Sequence, residues 1–139
     1  MSSSTIPNAI RIVVKERAGL GCEYCRVPDL AGFFSHEVDH IVATKHGGRT
    51  EITNLAYACW RCNRHKGTDL ASLDPETDEI SLLFHPRLQV WSEHFRLDGA
   101  YIIGLTAIGR ATLALLQINR ADRVEERQRL QARGIYPLG

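Results

Sequence analysis

Cys59-Trp60-Arg61-Cys62-Asn63-Arg64-His65-Lys66-Gly67 places two cysteines on a tight turn at the start of a short, strongly polar helix. Upstream, Cys22-Glu23-Tyr24-Cys25 repeats the spacing, and the two pairs account for all four cysteines of the chain. Two thiolates on one turn can face a single ion, and two such turns complete the tetrahedral four-sulfur shell of a closed zinc site. Residues 26–58 between the pairs make a longer loop than the shortest zinc ribbons, with room for a strand hairpin. A redox dithiol is the rival reading, and it would need only one pair. Structural Zn2+ on Cys22, Cys25, Cys59 and Cys62 is the expectation.

The hairpin is legible between the pairs. From Phe33 the chain reads as strand, carrying Val38, Ile41 and Val42, until Gly47-Gly48 breaks it. A second strand fits Leu55 to Ala58, and a helix from about Trp60 to Lys66 follows, with Gly67 as its C-terminal cap. On the N-terminal side, Pro7 suits a first helical position. Ile10, Val13 and Val14 then give an apolar stripe ending near Gly19 and Gly21. On the C-terminal side, Asp74-Pro75-Glu76-Thr77 is a turn and Ile80 to Phe84 a strand. Asp98-Gly99 joins a hairpin of Phe95–Leu97 and Tyr101–Ile103. Thr106 caps a helix with Ile108, Leu113, Leu115 and Leu116 on its apolar face, and Ala121 to Arg133 forms a helix rich in Glu and Arg.

Composition narrows the class. With 44% hydrophobic and 24% charged residues the balance is that of a soluble globular protein. The apolar run Ala111 to Ile118 is far below the roughly 20 residues a bilayer requires, so no membrane partner is expected. Residues 1–5 have neither the basic start nor the apolar stretch of a secretion signal, which points to the cytoplasm, where paired cysteines more often bind metal than form disulfides. Net charge is only +1. Locally, Lys45, Arg49, Arg61, Arg64 and Lys66 form a basic stretch that could attract phosphates, and Asp69, Asp74, Glu76, Asp78 and Glu79 follow it without a basic residue. On charge alone both are equally well ordinary solvated faces.

Val38-Asp39-His40-Ile41-Val42, Gly47-Gly48, Asn54-Leu55 and Cys59-Trp60-Arg61-Cys62-Asn63-Arg64-His65-Lys66, taken in that order, resemble the HNH nuclease motif in its zinc-braced form. The match covers about Cys22 to Gly67. The third motif position is Asn63, as in HNN variants, and Ala43 stands where a proline is common. Leu83-Phe84-His85-Pro86-Arg87, Trp91–Phe95 and Gly104–Thr112 resemble the C-terminal part of a group of bacterial HNH proteins, which assigns those residues no role.

The resemblance implies an α+β fold: a ββα-metal core over residues 1–72, braced by the four-cysteine zinc site, with a C-terminal hairpin-plus-helices extension over 73–139 packed on it as one unit. It implies a DNA endonuclease, with RNA left open as substrate, leaving 5′-phosphate and 3′-hydroxyl ends. Asp39 offers an anionic oxygen and Asn63 an amide oxygen to Mg2+ or Mn2+. His40 takes the proton of the attacking water, and Asn54 fixes the loop that orients it. Neighbouring strand residues face opposite ways, so Asp39 and His40 can meet at one metal only if the strand ends or bends there, as the family is expected to do. Lys45, Arg61, Arg64 and Lys66 are candidate phosphate contacts. Glu37 shares the parity of Asp39 and is read as structural, and His65 as a phosphate contact or surface residue. The competing class is a non-catalytic zinc-braced nucleic-acid-binding module, which has no need of Asp39, His40 and Asn63 together. The sequence leaves oligomeric state open.

Overall fold

A computed structural model describes residues 6–29 and 35–137. The part of the first expected strand from Phe33 to Phe34, and residues 1–5 at the N-terminus, lie outside them. The fold is α+β, and the described residues form three separate antiparallel hairpins.

Helix α1 spans Asn8–Arg17, and Pro7 stands at its N-cap with extended backbone, one position earlier than expected. Ile6, Ile10 and Val14 are four apart and meet Val38, Leu55 and Tyr57 in a small apolar cluster. Val13 lies off that seam and is exposed. Strands β1 (Glu37–His40) and β2 (Leu55–Ala58) pair in the register Glu37↔Ala58, Val38↔Tyr57, Asp39↔Ala56 and His40↔Leu55. Cross-strand partners share a face. Val38, Tyr57, Leu55 and His40 therefore lie on the α1 side of the hairpin, and Glu37, Asp39, Ala56 and Ala58 on the other.

The strand stops at His40 although the sequence reads as strand to Val42. The reason is Asn54. Its Oδ1 accepts the Val42 N–H at 2.9 Å, and its Nδ2 donates to the carbonyls of Val42 and Arg49, both at 2.9 Å. One side chain thus replaces the strand partner that Val42 would need. The loop folds back through a 3-10 turn at Thr44–His46 capped by Gly47 at φ 91°. Gly48 packs so closely on Val42 that a Cβ would stand 1.7 Å from its carbonyl oxygen, which only glycine can accommodate.

Helix α2 (Trp60–Lys66) follows β2 directly, with the Cys59 sulfur accepting the Cys62 N–H at its N-terminus. Strands β3 (Ala71–Leu73) and β4 (Ile80–Leu82) form the second hairpin. β3 has only three residues and no alternating pattern, and the sequence reading passed over it. A helical turn α3 (Trp91–His94) leads into the third hairpin, β5 (Phe95–Asp98) and β6 (Tyr101–Gly104). Asp98 pairs with Tyr101, so the turn is Gly99-Ala100, one residue later than expected. Helix α4 (Ala107–Leu115) is capped by Thr106 Oγ1, which accepts the Gly109 N–H at 3.1 Å. Helix α5 (Ala121–Ala132) closes the described chain. Among the described residues, no helix is long and apolar enough to cross a membrane.

The main core joins both halves of the sequence. Ala56, Ala58, Ile41 and the four cysteines pack with Phe84, Phe95, Ile102, Leu113, Leu116 and Ile118. Helix α5 docks mainly through arginines. Arg127, fully buried, donates to the carbonyls of Ala100 (2.7 Å) and Ile118 (2.9 Å) and to Asn119 Oδ1 (3.1 Å).

One ion pair ties the second hairpin to α4. Asp74 accepts Nε and Nη2 of Arg110 at 3.0 and 2.9 Å, with further bonds from the Glu76 N–H and the Thr77 hydroxyl. These donors, Arg110 first, hold the Asp74 carboxyl down at about 2. A carboxyl lowered by folding stabilises the fold above its ordinary range and loses that contribution as pH falls through the folded value. Asp74→Asn should therefore lower the melting temperature at pH 7, with a deficit that closes as pH falls from 3.8 towards 2. A deficit constant across that window in thermal melts would contradict this assignment.

Candidate functional site

The two Cys-x-x-Cys turns meet. One precedes α2 at the end of β2, and the other lies between α1 and β1. The four Sγ atoms all lie within 4.8 Å of one another and are buried, with no disulfide among them. A tetrahedral zinc with Zn–S near 2.3 Å requires sulfurs about 3.8 Å apart, and Cys25 and Cys59 stand 3.7 Å apart. Backbone N–H groups of Tyr24 and Cys25 point at Cys22 Sγ, and that of Cys62 at Cys59 Sγ, each at 3.4 Å. Burial, with the neighbouring sulfurs adding to it, pushes the Cys62 thiol well up. Such a cluster cannot ionise fully without a cation at its centre. The donor set, spacing and burial fit zinc.

The C-terminal half holds this cage. Trp91 Nε1 donates to the Tyr24 carbonyl at 2.9 Å and the Tyr136 hydroxyl to the Cys25 carbonyl at 2.8 Å. Arg87 pairs with Glu23, whose other oxygen accepts the Tyr57 N–H at 2.8 Å, so the first turn is tied to β2. Arg123 of α5 is buried against the sulfurs.

The second constellation occupies the end of β1. On the α2 side, Asp39 Oδ2 lies 3.0 Å from Lys66 Nζ, and Asn63 Nδ2 donates to Glu37 Oε1. A carboxylate only accepts, so Glu37 fixes the Asn63 amide with its Oδ1 directed elsewhere, as an available oxygen ligand. Burial raises the Asp39 carboxyl, and Lys66 pulls the other way. Asp39 lies on the same face of β1 as Glu37, the partner of Asn63.

On the opposite face, His40 is 4% exposed, and its Nε2 lies 2.8 Å from Thr50 Oγ1. Thr50 belongs to the loop that Asn54 clamps, so the amide acts on the imidazole through the loop. Burial first, and the Lys66 ammonium second, lower the His40 pKa and favour the neutral ring. The strand does end at His40, but pairing stays regular up to it, and Asp39 and His40 are divided between the two faces.

Of the four candidate phosphate contacts, Lys45 and Arg64 are exposed, with Arg64 lying over the Trp60 ring at 5.3 Å. Arg61 is half-buried and 3.6 Å from Glu126. Lys66 is not on the surface. It is 2% exposed, bonded to Asp39 and to the His40 carbonyl at 3.2 Å, and its place is beneath the site. His65 stands among Arg123, Arg120, Arg64 and Arg61, and burial first, then these charges, lower its pKa. Thr50 and Arg123 were missed in the sequence. Nothing in a lone threonine after Gly-Gly-Arg or an arginine in a charged helix marks them out.

Residues 22–69 match the family model of the HNH endonuclease. No curated protein and no solved structure matches the chain. The match runs from Cys22 to Asp69, with the cysteine cluster inside its bounds, and supports a nuclease or nucleic-acid-binding role.

Elemental analysis of the purified, unstripped protein should find one zinc per chain. Cys59→Ala should lose it and unfold or aggregate, because in a small metal-braced unit binding energy is folding energy. Protein free of zinc and of any substitute metal would rule out the cage.

Proposed function

We propose that the chain is a metal-dependent endonuclease that hydrolyses DNA phosphodiester bonds at the end of β1, with Zn2+ in the cysteine cage as a structural ion. The observation that carries this reading is the HNH endonuclease match over residues 22–69, which contains Asp39 and His40 at the end of β1, Asn54, Asn63 and the cysteine cage.

Asp39 and Asn63 Oδ1 would hold Mg2+ or Mn2+, which when bound neutralises charge on the phosphate and the leaving oxygen. Lys66 keeps Asp39 ionised within its partly buried setting, and Glu37 keeps the Asn63 oxygen outward. His40 takes a proton from the water whose oxygen bonds to phosphorus as the bond from phosphorus to the leaving oxygen breaks. Thr50 and Asn54 orient the imidazole. The exposed cations Lys45 and Arg64, with the half-buried Arg61, would contact the phosphodiester backbone. Residues 73–139 are read as an extension that packs the core and orients the substrate, not as a second catalytic centre.

Plasmid incubated with the protein and magnesium or manganese should be cut, and a chelator should stop it. His40→Ala should lower the rate by about 10²–10⁴-fold while DNA and metal binding survive, the usual worth of positioned proton transfer. Asp39→Ala and Asn63→Ala should lose activity that excess manganese partly restores. Asn54→Ala and Thr50→Ala should give intermediate rates with metal affinity little changed. Undiminished cleavage by His40→Ala, with contaminating nuclease excluded, would remove His40 as the base. No cleavage by the wild type under any divalent ion, with DNA still bound, would favour the binding-module reading.

A further inference from the structure

Four thiolates around one dication leave about two net negative charges in the cage. The cage is buried, and buried charge is costly unless compensated. Backbone donors serve Cys22 and Cys59. The N–H donor to Cys62 comes from far along the chain. Arg123, in the first turn of α5, places Nη2 3.1 Å from Cys62 Sγ and 3.7 Å from Cys59 Sγ, while its Nη1 donates to the Leu116 carbonyl at 2.7 Å. It is 3% exposed, and among the described residues no carboxylate pairs with it: Asp122 takes Arg120 and Glu126 takes Arg61. A guanidinium stays charged in a protein, so its buried charge is compensated by the sulfurs.

We propose that Arg123 is part of the metal centre, a cationic clamp on Cys62 and Cys59 that makes retention of the zinc depend on the docking of α5. The inference rests on the reading of the cage as a zinc site, and the residue lies outside the HNH match at 22–69. The charge of the clamp neutralises part of the cage, and its hydrogen bond draws electron density from the Cys62 sulfur. Partners of this kind typically contribute 10- to 100-fold in metal affinity. Removal of the N-terminal turn of α5 from the cage would take this counter-charge away from Cys62 and Cys59.

The rival is a purely structural Arg123 that only fastens α5 to Leu116. Arg127 is the control, because it is buried on the same helix with three donations to oxygen acceptors and no sulfur contact. Zinc release to a colorimetric chelator should be roughly 10- to 100-fold faster in Arg123→Met than in the wild type, with Arg123→Lys between. Arg127→Met should release zinc at close to the wild-type rate at a comparable loss of thermal stability. In cobalt-substituted protein, the sulfur-to-cobalt charge-transfer band should move to lower energy in Arg123→Met and stay in place in Arg127→Met. Coincident release rates and unmoved bands in the two variants would overturn the clamp. Should Arg123→Met fail to fold, the wild type loaded with cadmium-113 decides. A slowly exchanging Arg123 Nη proton coupled to the metal supports the proposal, and its absence overturns it. Wild-type protein without zinc by elemental analysis would remove the zinc reading itself, whereas zinc-loaded wild type with indifferent variants removes only the clamp.

Discussion

Four sulfurs packed within 4.8 Å of one another in a buried site set the terms for the rest of the molecule. Thiolates so placed repel one another, and thiols so placed gain little from the contact. The cluster makes sense only around a cation. Once that condition is accepted, much of the architecture follows. The two turns sit at the start of α2 and between α1 and β1, so whatever fixes the sulfurs also fixes the hairpin against its helix. The apolar area between a four-residue strand pair and a seven-residue helix is too small to do this alone.

That fixed ββα unit makes the end of β1 a place where opposite chemistries stand back to back. Pairing in register to His40↔Leu55 puts the carboxylate and the imidazole on different faces, each with its own support. Lys66 reaches up from α2 to Asp39 and also to the His40 carbonyl, so one buried ammonium joins the two faces. A buried lysine beside a carboxylate is a costly arrangement when either partner is lost. Its presence beside Asp39 favours the charged carboxylate against the cost of burial. On the other face the support is a chain of contacts from Asn54 through the loop to Thr50 and the ring. Gly48 permits the close packing that holds the loop in that shape.

Much of this was legible in the sequence, for physical reasons that also mark where legibility stopped. Cysteine spacing, the strand before Cys59, the Thr106 cap and the Gly-turned third hairpin are local signals, and local signals survive folding. What the sequence hid was partnership at a distance. Lys66 looked like one more cation in a basic stretch because nothing in its neighbourhood shows that the helix turns it under Asp39. Arg123 and Arg127 stand in a helix rich in Glu and Arg, where no local signal marks either for burial. Yet these arginines are buried, because carbonyl oxygens and sulfurs from residues 59 to 119 converge on them. The early end of β1 was hidden for the same reason, since the competitor of a strand partner was a side chain fourteen residues past His40.

The charged character of α5 follows from what it covers. An apolar helix laid over the ends of α4 and β6 and over the sulfur cage would leave the carbonyls of Ala100, Leu116 and Ile118 without donors and the cage without a counter-charge. Two arginines one turn apart supply both, Arg127 to the carbonyls and Arg123 to one carbonyl and the sulfurs. The helix surface is then free to remain polar, and the arginine stems still fill apolar space. A core built this way is held by directional bonds as much as by area, so it tolerates little slippage: a shift of one residue in α5 would bring neither guanidinium to its acceptors. The C-terminal half is therefore bound to the metal-braced half by register, and the geometry at the end of β1 is set from both.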